Sequence, residues 1–153
     1  MTYCLDSSVL IESWVRLYPP DLFPSLWDKF DHMIEEEHLI ASEEVLHEIE
    51  AKEDGLHKWA KKRPKLFLPT DNEIQMSVKE ILREFPKLVD TMKNRSRADP
   101  FVIALARVKG STVVTEEKNV GTPERPRIPI VCNYYNIKCM NVLDLIRQQG
   151  WTF

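Results

Sequence analysis

Short apolar runs alternate with longer amphipathic stretches along most of this chain. The runs predict buried or half-buried strands at 2–5, 38–41, 65–69, 111–115, 128–131 and 137–140. The stretches between them repeat apolar residues at helical spacing. They predict helices over 9–15, 22–34, 43–63 with a break near Gly55, 71–84, 86–94, 99–108 and 142–149. Strands and helices are therefore expected to alternate along the chain.

The alternation of strands and helices indicates a fold class. Strands separated by helices are joined by crossovers, which connect parallel strands. The pattern predicts an α/β fold, a three-layer α/β/α sandwich with a central, mainly parallel sheet of four to five strands. The chain has 153 residues and is 43% hydrophobic, so we expect a single domain over 1–153 with a sizeable core.

The hydrophobic segments of the chain indicate its compartment. The chain begins without the basic and apolar segments of a signal peptide, and no window approaches the ~20 apolar residues of a membrane span. We therefore expect a cytoplasmic protein without membrane contact.

The three cysteines, Cys4, Cys132 and Cys139, form no C-x-x-C pair, which argues against a structural zinc site and against disulfides.

The charge is unevenly distributed. A net charge of −3 argues against a protein that coats nucleic acid, which would be strongly basic. Two local clusters are nevertheless basic: one lies within 58–65, and the other comprises Lys93, Arg95 and Arg97. Each cluster is either a solvated surface or a basic rim that positions phosphate groups through salt-sensitive contacts.

Four acidic residues, Asp6, Glu48, Asp99 and Glu117, lie beside predicted strand ends or helix starts. Carboxyl ends of parallel strands face the functional crevice of such sheets, so these acids could converge there. Packed carboxylates raise one another's pKa unless a cation joins them, and Mg²⁺ or Mn²⁺ prefers such oxygen ligands. Metal-dependent hydrolysis of phosphodiester bonds is the resulting hypothesis. Taken singly, Asp6 and Asp99 could instead cap helices, and Glu48 and Glu117 could lie on the surface.

Two other classes of phosphate-handling site fit poorly. Phosphatases of the haloacid-dehalogenase type need a second Asp two positions after the first, and Ser8 stands there. The four glycines, Gly55, Gly110, Gly121 and Gly150, form no cluster that could cradle a phosphate.

Four segments resemble the motifs of PIN domains. Tyr3–Ile11 (YCLDSSVLI) is similar to the opening strand motif of that family, and Val45–Ile49 (VLHEI) to the helix that carries its second acid. Ala98–Ala106 (ADPFVIALA) resembles its third motif, and Val113–Glu117 (VVTEE) its strand-end Thr-x-Asp. Their order and spacing agree with the family from the first strand to about residue 120.

The resemblance implies a small α/β/α nuclease that cuts single-stranded RNA with Mg²⁺ or Mn²⁺, in many bacterial members as the toxin of a toxin-antitoxin pair. An antitoxin protein and a second copy of the chain are then expected partners. The four acids would be the catalytic residues and metal ligands. Ser7, Ser8 and Thr115 would orient them, Glu44 would be a reserve acid one helical turn from Glu48, and either Glu116 or Glu117 would face the metal. We expect RNA contacts at Arg95, Arg97 and Lys118.

Several positions depart from the family pattern. Ser8 stands where the family often has Asn, Glu117 stands where Asp is usual, and 144–153 and the Trp59 region have no obvious counterpart in the commonest toxins. These departures indicate a divergent subfamily. An alternative to the nuclease is a PIN-like module that binds RNA or a protein without cutting, and metal dependence distinguishes the two.

Overall fold

Five parallel strands form the centre of the fold. The computed structural model describes residues 1–89, 98–118 and 126–153. The strands are β1 Tyr3–Leu5, β2 Leu39–Ser42, β3 Phe67–Leu68, β4 Thr112–Val114 and β5 Cys139–Met140. Their order across the sheet is β3-β2-β1-β4-β5, and every neighbouring pair is parallel. The predicted α/β class with a parallel sheet is confirmed.

Helices cover both faces of this sheet. They are α1 Ser7–Glu12, which continues as a π-helical turn Ser13–Leu17, α2 Pro24–Glu35, α3 Glu43–Lys52, α4 Asp54–Lys61, α5 Asn72–Glu84, α6 Asp99–Lys109, α7 Ile128–Tyr134 and α8 Val142–Gln149. A 3₁₀ turn, Pro64–Leu66, precedes β3. α1 to α4 and α8 lie on one face and α5 to α7 on the other, which makes the three layers of an α/β/α sandwich.

The central strands are buried because helices exclude water from both of their faces. Every residue of β1, β2 and β4 is buried, which explains why these strands are continuous apolar runs instead of alternating ones. Gly110 ends α6 with a φ of +65°, a left-handed conformation that glycine adopts without a Cβ clash. None of the helices among the described residues is long and apolar enough to cross a membrane.

The strand order creates a crevice at one edge of the sheet. The chain leaves β1 towards β2 on one side, and it leaves β4 towards β5 on the other side, although β1 and β4 are neighbours. Connections that diverge in this way leave a gap beyond the carboxyl ends of the two strands. Asp6 follows β1 and Thr115 follows β4, so both lie at this gap.

The strand predicted at 128–131 is wrong, because these residues form the first part of α7. The backbone N–H groups of Ile130 and Val131 both donate to Arg127 O, at 3.1 and 3.2 Å. Pro129 lies in the first turn, where a missing N–H costs nothing. A short β-branched run fits a strand or a buried helix equally well, and packing against α6 selects the helix here.

The predicted break near Gly55 lies two residues earlier. Glu53 is extended, with φ −151° and ψ 108°, and its side chain accepts the Gly55 N–H at 3.3 Å as the cap of α4. Gly55 itself is helical. A Cβ at Gly55 would lie 3.4 Å from the Trp14 ring, which puts the backbone of α4 in close contact with that side chain.

The helix predicted over 86–94 is only partly covered by the structure. Residues 86–89 form a turn and a bend, and 90–94 lie outside the described residues. The helices predicted over 71–84, 99–108 and 142–149 are confirmed as α5, α6 and α8, with their ends within one residue.

Candidate active site

Asp6 is a buried carboxylate held by hydroxyl and amide donors. It is 2% exposed and caps α1, where its Oδ1 accepts the Ser7 backbone N–H at 2.8 Å. Its Oδ2 accepts the Ser8 hydroxyl at 2.6 Å and the Thr115 hydroxyl at 2.9 Å. Burial raises the pKa of Asp6, and these donors offset only part of that effect.

Hydroxyl groups join the segment after β1 to the segment after β4. Ser8 Oγ accepts the Glu116 backbone N–H at 3.0 Å and lies 3.2 Å from Thr115 Oγ1. Thr115 Oγ1 accepts the Glu117 backbone N–H at 3.1 Å. The backbone that presents Glu117 is therefore fixed relative to Asp6 through two hydroxyl groups.

Glu48 comes to the same pocket from α3. The Ser7 hydroxyl donates to Glu48 Oε1 at 3.2 Å, and Lys52 Nζ lies 3.9 Å from Glu48 Oε2. Burial and the negative charge of Asp6 raise the pKa of Glu48, while Lys52, Ser7 and the Ala98 backbone N–H lower it. Ala98 immediately precedes Asp99, so Glu48 reaches the beginning of α6.

Asp99 is buried at the beginning of α6, at 4% exposure. The alternative role of Asp99 as the cap of this helix does not hold, because the cap is Ala98 and Asp99 is the first helical residue. Asp6, in contrast, does cap its helix. The Asp99 carboxyl group lies beside Glu117 and lowers the pKa of Glu117.

Glu117, and not Glu116, turns towards the other acids. Glu117 Oε2 accepts the Ile128 backbone N–H at the beginning of α7 at 3.0 Å. Burial and the charge of Asp6 raise the pKa of Glu117, and Ile128, Arg127 and Asp99 lower it. Glu116 Oε1 instead accepts the backbone N–H of Val142 at 2.9 Å, at the beginning of α8.

The pocket is electrostatically unfavourable without a cation. The pKa values of Asp6, Glu48 and Glu117 are all raised, first by burial, and the charge of Asp6 adds to the effect at both glutamates. Like charges in a poorly solvated site favour protonation or a bound cation. The donor set consists of carboxylate and hydroxyl oxygens, which are the ligands that Mg²⁺ and Mn²⁺ prefer.

In this structure, hydroxyl and backbone N–H groups donate hydrogen bonds to Asp6, Glu48 and Glu117. Within residues 1–89, 98–118 and 126–153, no three His, Cys, Asp or Glu side chains are arranged as a group that could hold a metal ion. A cation bound at this site would have to draw the four acidic side chains together. If the side chains move together in this way, the carboxylate and hydroxyl oxygens of the site fit a hard divalent ion.

Other predicted site residues lie apart from the pocket or outside the described residues. Glu44 Oε2 lies 3.3 Å from His47 Nδ1 on a partly exposed face of α3. Lys118 is exposed and follows Glu117 directly. Arg95 and Arg97, predicted to contact RNA, lie outside the described residues, as does Lys93.

The basic cluster within 58–65 does not line the pocket. The Arg63 guanidinium stacks on the Trp59 ring at 4.3 Å from its centroid and makes two hydrogen bonds to Asp31. Lys65 Nζ lies 3.4 Å from Glu35 Oε2. Asp31 and Glu35 belong to the last turns of α2, which lead into the amino end of β2, so these contacts are at the opposite edge of the sheet from Asp6.

The sequence analysis did not predict three contacts of the pocket. Lys52 pairs with Glu48, and the i,i+4 spacing on one helix could have revealed this pair. The backbone N–H groups of Ile128 and Ala98 bond to Glu117 and Glu48. No sequence signal marks these two amides, because backbone donors are the same at every residue.

One family match covers nearly the whole chain. A family model described as Domain of unknown function (DUF4411) matches residues 3–153. No curated protein matches the sequence. The matched range contains all four acids of the pocket and the hydroxyl groups that hold them.

Proposed function

We propose that this chain, which belongs to the family described as Domain of unknown function (DUF4411), is a metal-dependent nuclease that hydrolyses phosphodiester bonds of single-stranded RNA. One observation supports the proposal: Asp6 lies where β1 and β4 diverge, and its charge raises the pKa of both Glu48 and Glu117. Asp99 lies beside Glu117, and burial raises the pKa of the other three acids. Clusters of perturbed acids in a crevice are typical of functional sites.

Asp6 and Asp99 are the residues proposed to hold Mg²⁺ or Mn²⁺ directly, together with Glu48 and Glu117. Both aspartates are almost completely buried and have short side chains, so they have fewer alternative positions than the glutamates. When bound, the ion would lower the pKa of a coordinated water molecule and neutralise charge on the phosphoryl oxygens.

The chain's own residues orient the acids. Ser8 and Thr115 hold one oxygen of Asp6, Ser7 holds Glu48, and the Ile128 N–H holds Glu117. Such supporting hydrogen bonds typically contribute 10-fold to about 100-fold to metal affinity or activity. Glu48 Oε2 does not bond to Ser7, and we assign it the role of accepting a proton from the attacking water.

The RNA substrate is proposed from the resemblance to PIN domains and from the chemistry that the pocket could support. Lys118 is exposed beside Glu117, where a phosphate that approaches the acids would meet a positive charge. A protein antitoxin and a second copy of the chain are further proposals that rest on the resemblance alone. Co-purification with the neighbouring reading frame and a mass measurement in solution would test them.

Cleavage of labelled single-stranded RNA tests the proposal. Wild type, Asp99→Asn and the control Asp28→Asn, which changes an exposed aspartate of α2, are each assayed with Mn²⁺, Mg²⁺ or a chelator. We expect wild type and Asp28→Asn to cut only with metal and Asp99→Asn not to cut. The asparagine amide can still donate to Glu117, so this variant should keep its fold.

Thermal melts separate the possible failures of this experiment. A protein that binds the metal only in its folded state is stabilised by it. The free energy of unfolding rises by about 2.7 kcal/mol when the metal concentration is about 100 times Kd. Equal cutting by wild type and Asp99→Asn would disprove the assignment of the pocket. The absence of both RNA cleavage and stabilisation by Mn²⁺ would instead support the non-catalytic RNA- or protein-binding module.

A further inference from the structure

Two cysteines meet on the face of the sheet that α6 and α7 cover. Cys132 lies in α7, and Cys139 lies in β5. Cys139 pairs in register with Val113, which pairs with Cys4 of β1. Paired residues of neighbouring strands project to the same side of a sheet. Cys4 Sγ lies 3.6 Å from Val102 O, which identifies that side as the face covered by α6.

The thiol groups of Cys132 and Cys139 interact electrostatically and differ in character. Their interaction lowers the pKa of Cys139 and raises the pKa of Cys132. Cys132 is fully buried, whereas Cys139 is partly exposed. Of the two, Cys139 therefore has more thiolate character and is more accessible, and both properties favour oxidation.

The backbone brings the two cysteines together through a tight reversal. Six residues separate them. Ile137 N–H and Tyr135 N–H both donate to Cys132 O, at 2.8 and 3.1 Å. Asn136 has a φ of +58°, and Asn tolerates this left-handed conformation better than most residues. The short loop keeps the two residues close, so a bond between their thiol groups needs no rearrangement of distant parts of the chain.

We propose that Cys132 and Cys139 are a peroxide-sensitive modification site that forms a reversible disulfide. The Cys139 thiolate attacks hydrogen peroxide, which breaks the O–O bond, gives a sulfenic acid at Cys139 and releases hydroxide. Cys132 then attacks the sulfenic sulfur, forms the S–S bond and releases a second hydroxide. The proton lost from each thiol converts one hydroxide into water. In total, two thiols are oxidised and one peroxide is reduced to two water molecules.

Oxidation would also act on the pocket, and this consequence rests on the proposed function. Cys132 lies one turn after Ile128, whose backbone N–H holds Glu117 Oε2 at 3.0 Å. An S–S bond of about 2.05 Å is shorter than any contact between two thiols. Closing it draws α7 towards β5 and weakens the hold of its first turn on Glu117. We therefore expect the oxidised protein to gain less stability from Mn²⁺ and to cut RNA more slowly.

Peptide mapping tests the site directly. Reduced wild type is treated with hydrogen peroxide, the remaining thiols are blocked with iodoacetamide, and the protein is digested with trypsin. Cleavage after Arg127, Lys138 and Arg147 places the two cysteines in separate peptides, 128–138 and 139–147, while Cys4 lies in 1–16. We expect the first two peptides to be disulfide-linked and Cys4 to be alkylated, and added dithiothreitol to reverse the link.

Variants and a second readout make the test decisive. Cys139→Ser should leave Cys132 unoxidised, Cys132→Ser should accumulate a sulfenic acid that dimedone traps at Cys139, and Cys4→Ser should behave as wild type. Alkylation of both cysteines after peroxide, a link to Cys4 or a link between chains would overturn the proposal. Peptide mapping does not depend on RNA cleavage, so a protein that cuts no RNA yet forms the link refutes only the proposed function.

Discussion

Ser8 Oγ lies 2.6 Å from Asp6 Oδ2 and accepts the Glu116 backbone N–H at 3.0 Å. One hydroxyl group therefore orients the buried carboxylate and also fixes the segment that follows β4. The short side chain of Ser8 reaches the carboxylate because it lies in the first turn of the helix that Asp6 caps.

Ser8→Ala should reduce RNA cleavage about 10-fold to 100-fold, because Asp6 loses a donor that orients it. The backbone N–H of Glu116 would also lose its partner, and we expect the free energy of unfolding to fall by about 1–3 kcal/mol. Initial cleavage rates and urea unfolding measure the two effects. Ser8→Thr keeps the hydroxyl group and should retain most of the activity, and Ser25→Ala on the exposed surface of α2 should resemble wild type. Full activity in Ser8→Ala would contradict the role.

Glu116 and Glu117 provide a matched pair of substitutions. Glu117→Gln should abolish metal-dependent cleavage and stabilisation by Mn²⁺, since Glu117 contacts Asp99 and lies near Asp6. Glu116→Gln removes only a charged acceptor at the beginning of α8. It should cost about 0.5–1 kcal/mol of stability and leave cleavage within about twofold of wild type. The reverse pattern, with Glu116→Gln inactive, would show that the other glutamate serves the site.

The stability of the metal-free protein should fall as the pH rises. Asp6, Glu48 and Glu117 have pKa values raised above the ordinary 3.8 for Asp and 4.5 for Glu. The native state therefore binds more protons than the unfolded state just above these values, so the free energy of unfolding decreases as the pH increases through that window. At lower pH the three acids are protonated in both the native and the unfolded state, so their ionisation no longer lowers the free energy of unfolding.

Asp6→Asn isolates this effect from the rest of the protein. Urea unfolding with a chelator should show that the variant gains stability relative to wild type as the pH increases from about 4 to about 8. Adding Mn²⁺ should stabilise wild type and not the variant, and so reduce the difference. A stability difference that is independent of pH would refute the charge repulsion on which the pocket assignment depends.

Arg63 should contribute to stability and not to RNA cleavage. Its guanidinium group lies between the Trp59 ring and the Asp31 carboxylate and is half-buried. Arg63→Ala should lower the free energy of unfolding by about 1–2 kcal/mol, while Lys62→Ala, which changes the exposed neighbour, should change it by less than about 0.5 kcal/mol. Both variants should cut RNA at the wild-type rate. A loss of cleavage in either one, with stability intact, would place the basic cluster on the RNA path.

Local patterns in the sequence predicted most of the framework. The apolar runs of β1, β2 and β4 predict central strands because residues covered by helices on both faces must be apolar. Ser42 predicts the beginning of α3, and its side chain does accept the Glu44 N–H at 3.2 Å. The order of the four acids and their positions near strand ends and helix starts are likewise properties of the sequence.

The tertiary structure decided what local patterns leave open. Residues 128–131 have strand-like composition, yet packing against α6 makes them a helix, and the first N–H of that helix binds Glu117. Glu117 faces the pocket because its carboxylate binds the beginning of α7, 11 residues further along the chain. The Glu116 carboxylate instead binds the beginning of α8, 26 residues further along. Local periodicity sets the secondary structure, whereas charge repulsion, burial and hydrogen bonding between distant segments determine which acids face one another.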